Sequence, residues 1–94
     1  MKAPTTFKMG ATQTVAVGAS SAASSAVNAN TREIRVIATV DAYVEISSAP
    51  TASSSSVILP AFTVEYFRVA GSDKVAVLRV GSVTGTSRVT ELSQ

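Results

Sequence analysis

The chain has 94 residues, a formal net charge of +2, and neither cysteine nor histidine. That length suits one domain and excludes two that each bury a core. The missing residue types exclude disulfides, thiol chemistry, thiolate metal sites and the imidazole that serves most often as base or ligand near neutral pH.

So small a charge leaves no electrostatic footprint for nucleic acid or an acidic membrane. No run approaches the ~18 apolar residues of a membrane-spanning helix. Apolar residues make up 46% of the chain, enough for a folded domain. Val and Ala dominate them, leucine is confined to Leu59, Leu78 and Leu92, and tryptophan is absent. β-branched residues favour pleated sheet, and few strong helix formers compete, so the composition predicts an all-β domain. A core of Val and Ala buries modest area per side chain, and association with copies of itself or another surface would add to that burial.

"MKAPTTFKMG", residues 1–10, shows no periodicity and is expected to be an N-terminal arm, leaving 11–94 as a single β-sandwich domain. Phe7 and Met9 are its apolar residues and are candidates for docking on a neighbouring chain. Lys2 and Lys8 precede a small-residue stretch, but Val15-Ala16-Val17 is far shorter than the ~7–15 apolar residues of a secretory signal, so the segment is expected in the mature protein.

"TQTVAVG", 12–18, alternates and ends at Gly18, as a strand does. "ASSAASSAVNAN", 19–30, is rich in Ser and Asn, which compete for backbone hydrogen bonds, so an extended segment ending in a turn at Asn28–Thr31 is expected over a helix. The strongest period follows: Ile34, Val36, Ala38, Val40, Ala42, Val44 and Ile46 alternate with mostly polar neighbours. A tight hairpin at Asp41-Ala42 would break that parity. One long bent strand, or two strands joined by a parity-keeping corner at Asp41, preserves it.

"SSAPTASSSSVILPA" begins like a linker, yet it would leave fragments below roughly 50 residues on each side, which seldom fold alone without disulfides or metals. It therefore reads as a loop between strands. "VILPAFTVEYFRVAG", "DKVAVLRVG" and "TSRVTELS" continue the β pattern, with turns at Gly71-Ser72 and Gly81–Gly85. Pro60 belongs at a strand start or an edge. The whole predicts six to eight short antiparallel strands in a sandwich, jelly roll or barrel.

The residues offer little chemistry, and no catalytic, cofactor or metal site is predicted. Glu33 and Glu45 share the polar face of the alternating segment with Asp41 and could approach an acid of another strand, as a carboxylate pair for glycoside hydrolysis would require. Solvated charges interleaved with Arg35, Arg68 and Arg79 are the expectation. The serines include no Gly-x-Ser-x-Gly elbow, and "GSVTGTSR" lacks the Gly-Lys-Ser/Thr of a phosphate loop. In "EYFRV" alternation buries one aromatic and exposes the other singly, a poor base-stacking platform, so nucleic-acid binding is not expected. Tyr43 and Tyr66 join Phe7 and Met9 as candidate interface residues, and a carbohydrate-binding sandwich would have only these two tyrosines for a platform.

"TREIRVIATVDAYVEIS", the Pro-Thr-Ala-Ser loop, the Leu-Pro-Ala that follows it, the Glu-Tyr-Phe strand and the closing Val-Thr-Glu-Leu-Ser resemble, in kind and order, small tailed-bacteriophage virion proteins of the capsid decoration or cement type. The resemblance covers about residues 11–94. It implies a non-enzymatic β-rich module without cofactors that binds the outer surface of the major capsid protein lattice, commonly as a trimer, and reinforces it. It places the protein in the virion, and in the host cytoplasm before assembly. A neck, tail or head-fibre component is the alternative within the virion.

Overall fold

The alternating segment Ile34–Ile46 becomes two strands in two different sheets. In the computed structural model, which describes residues 8–93, the strands are β1 Lys8–Val17, β2 Ala22–Ala23, β3 Glu33–Ala38, β4 Ala42–Ser47, β5 Val57–Leu59, β6 Glu65–Arg68, β7 Lys74–Arg79 and β8 Gly85–Ser93. No helix occurs among the described residues. One sheet has the order β1-β8-β3-β6 and the other β2-β7-β4-β5, with every neighbour antiparallel. Strand pairs 1·8, 2·7, 3·6 and 4·5 wrap around one another across two sheets, which is the strand order of a jelly roll.

Ile34, Val36 and Ala38 of β3 line the inner face of the first sheet together with Val15, Val17 and Val89. Ala42, Val44, Leu59, Val75 and Val77 complete the core from the second. Ile46, at the far end of β4, is half-buried rather than buried, and Arg35 is half-buried on the opposite face while Glu45 is exposed. Between the two strands, Thr39–Asp41 form the parity-keeping corner. Ala38 and Ala42 are both buried on either side of it. The corner is held by Thr39 N donating to Thr86 O (2.9 Å) and Val80 N to Asp41 O (3.1 Å).

Lys8–Gly10, the last residues of the expected arm, belong to β1: Lys8 lies opposite Ser93 and Met9 opposite Leu92. A bulge separates them from the regular ladder that resumes at Thr12. It puts Gly10 and Ala11 opposite Glu91 alone, and this loss of register removes the periodicity that would have marked a strand. Residues 1–7 lie outside the described residues, and the expectation for Phe7 with them.

The serine stretch is a loop within the fold. Ala52 N donates to Ser21 Oγ (2.9 Å), beside β2, although β5 and β2 are opposite edges of their sheet. The loop therefore crosses the outer face of that sheet. Small side chains permit this close approach: Ala52 is buried, and so is Ala76, whose register directs it outward. Ser56 Oγ closes the crossing by donating to Glu45 Oε1 (2.8 Å).

The Asn-rich turn forms as its residues dictate. Thr31 N donates to Asn28 O (2.9 Å) and Asn30 N to Asn28 Oδ1 (2.9 Å).

Candidate binding surface

The jelly-roll winding gathers four connections at one end of the sandwich: residues 18–21, 39–41, 60–64 and 80–84. Hydrogen bonds knit them together. Arg79 N donates to Gly18 O (3.1 Å), Phe62 N to Ala38 O (2.7 Å), and Ala61 N to Asp41 Oδ1 (2.8 Å). These four connections contain a single charged residue, Asp41. The opposite end is polar, built from Asn28, Asn30, Arg32, Asp73 and Glu91.

Exposed apolar side chains concentrate at this charge-poor end and along the adjoining edge. Phe62 is 71% exposed and Val83 66%, with Val80 exposed beside them. Val57 and Ile58 of edge strand β5 continue the patch. An open pocket of about 300 Å³ lies among Val40, Asp41, Ala61, Gly81 and Val83. Phe62 has a φ of 57°, a left-handed conformation that costs a bulky residue about 1–2 kcal/mol. The backbone is held there by the bonds of Ala61 N and Phe62 N to the Asp41 side chain and Ala38, and the result lifts the ring into solvent.

The candidate residues from the sequence are distributed differently. Met9 and Tyr66 are exposed, but they sit on β1 and β6, opposite edges of the first sheet. Tyr66 lies across from Arg35 on the outer face, while its neighbour Phe67 packs against the core. Tyr43 is half-buried on the outer face of the second sheet, between Ile58 and Leu78. Of these, Tyr43 alone adjoins the apolar patch, through Ile58. Neither Phe62 nor Val83 has a periodicity that marks it; Pro60, expected at a strand start or an edge, follows the last residue of edge strand β5 and opens the connection that holds Phe62.

The carboxylates do not converge. Glu33 and Glu45 point outward from different sheets, and no group of three or more acidic residues able to hold a metal ion occurs among the described residues. Compared with protein-family models, curated proteins and solved structures, the chain matches none.

Proposed function

We propose that this chain is a virion structural protein of the capsid decoration or cement type, binding the outer surface of the major capsid lattice by contact rather than catalysis. The observation that carries the proposal is the apolar end of the sandwich, whose connections hold one charge, and where Phe62 is held outward in a conformation that serves nothing in the core. Backbone outliers that the surrounding bonds enforce are characteristic of functional sites. An exposed aromatic on an end with other exposed apolar side chains and few charges has the composition of an interface anchor. The jelly roll itself is shared by viral coat and lectin domains, which supports the reading by analogy of fold.

On this reading the patch of Phe62, Val83, Val57 and Ile58 is pressed against neighbouring shell subunits. Expansion of the shell must then break these interfaces, which adds to the work of opening it. Because the end carries one charge, raised salt screens little of the interaction.

The experiment is to count copies per purified particle and to repeat the count with a Phe62→Ser/Val83→Ser double variant. Copies in proportion to the shell lattice, lost in the variant, are the expected result. A few to about a dozen copies, the stoichiometry of a single symmetric ring, would place the protein in the neck or tail instead.

A further inference from the structure

Among the described residues β1 has a free edge, and it differs from the other sheet edges there. Among the described residues β1 pairs with β8 alone. The remaining edge strands carry the features that discourage pairing between sheets. β2 has two residues, β5 has three and is stopped by Pro60, and β6 has four with Glu65 and Arg68 at its ends. The regular part of β1, Thr12–Val17, has six residues with neither a charge nor a proline.

Two bonds fix which backbone groups that edge presents. Ser87, directly opposite Val15, donates its Oγ to Val15 O (2.9 Å), which requires the Val15 carbonyl to point toward β8. Gly18 O, three residues on, points the other way and accepts from Arg79 N of the second sheet. Alternation along an antiparallel strand then turns the N–H and C=O groups of Thr12, Thr14 and Ala16 outward. The Thr12 and Thr90 hydroxyls, 3.0 Å apart, agree with this, since pairs without backbone bonds bring side chains closest.

We infer that this edge pairs with the same edge of a second copy, antiparallel, about a two-fold axis at Thr14. Opposite residues in an antiparallel pair share a face, so the axis must fall on a residue. Centred on Thr14, the outward groups of Thr14 meet their own counterparts, and Thr12 meets Ala16 of the other copy. Centring on Gln13 or Val15 leaves fewer outward groups matched. Lys8, the one charge on β1, lies beyond the bulge and away from its counterpart, so no like charges are opposed. The outward side chains at the seam, Thr12, Thr14 and Ala16, are small and exposed. The two four-stranded sheets become one of eight, with an isologous interface. This pairing leaves the apolar end clear and is independent of what that end binds.

The chain has no cysteine, so single substitutions report the register cleanly. Thr14→Cys is expected to form a disulfide-linked dimer under mild oxidation, because opposed residues come about 5.5 Å apart between Cα atoms, within disulfide reach. Thr12→Cys and Ala16→Cys are each expected to stay unlinked alone and to link when the two are co-expressed. Sedimentation of the unmodified protein is expected to show twice the chain mass. A monomer would overturn the inference. So would a trimer, the state the phage resemblance implies, or a dimer in which Thr14→Cys stays unlinked.

Discussion

Gly71 lies against the backbone of Ala29, so close that a β-carbon at position 71 would overlap the Ala29 carbonyl. The approach joins the β6–β7 turn to the β2–β3 connection at the polar end of the sandwich. The turn itself is closed by Asp73 N donating to Ala70 O (3.1 Å) and Ala70 N to Asp73 Oδ2 (2.9 Å). Its left-handed position, φ 72°, is occupied by Ser72 rather than by the glycine. Gly71 is there for space and Ser72 bears the conformational cost.

The two substitutions should therefore move stability in opposite directions. Gly71→Ala is expected to cost about 2 kcal/mol or more, since backbone on both sides must shift. Ser72→Gly is expected to add about 0.5 kcal/mol, relief of the left-handed penalty being partly offset by the freer unfolded chain. Urea denaturation of both variants checks the pair.

Glu91 ties β8 to the Asn-rich turn. Its Oε1 accepts from Asn28 N (3.2 Å) and from Thr31 Oγ1 (2.5 Å), and Thr31 is itself buried. Glu91→Ala leaves both donors without that acceptor and is expected to cost about 1–2 kcal/mol. Glu91→Gln retains an oxygen acceptor and should lose less than half as much. Equal losses for the two would show that the charge, and not the hydrogen bonding, holds the turn.

Alternation carried the fold a long way. From Ile34 to Ile46 it marked which residues turn inward and where a corner must keep parity, because side-chain direction in a strand depends on position alone, while Val40 at the corner and Ile46 at the strand end are only half-buried. The corner's bonding did not show, since the partners of Asp41 are Val80 and Ala61, distant in sequence and brought close by the winding of the sheets. Lys8–Gly10 escaped notice because a bulge scrambles the period.

The binding patch was the least legible part. Phe62 lies in "LPAFTVEY", where alternation treats it as one more strand residue, and its exposure depends on a positive φ imposed by Ala38 and Asp41. Val57 and Ile58 are both exposed because β5 has three residues at a sheet edge, too few neighbours to bury either side.

Phe62 separates folding from binding. Phe62→Gly removes a ring that packs in no core and relieves the left-handed backbone, so stability should stay level or rise by up to about 1 kcal/mol. Binding to particles should weaken by about 2 kcal/mol, roughly thirtyfold, the scale of an aromatic anchor. Denaturation and particle pull-down on one preparation give both numbers. A variant that unfolds more readily yet binds normally would show Phe62 to be structural.

Salt distinguishes the apolar end from the charged outer faces of the sheets. Bound protein is expected to remain on particles through a rise from about 0.1 to 1 M salt, a range over which the Debye length falls from about 10 to 3 Å. Release over that range, followed by sedimentation of the stripped particles, would assign the contact to the Arg and Glu residues of the outer faces.

The central claim is that the protein strengthens a shell by binding it, and heat-induced genome release tests this most directly. Particles assembled without the protein, and particles offered the Phe62→Ser/Val83→Ser variant, are expected to release their genome at a lower temperature than particles carrying the natural chain. Adding back the natural protein should restore the higher temperature. Particles that lack the protein and are equally robust, but fail to attach tails or to adsorb to cells, would contradict the account.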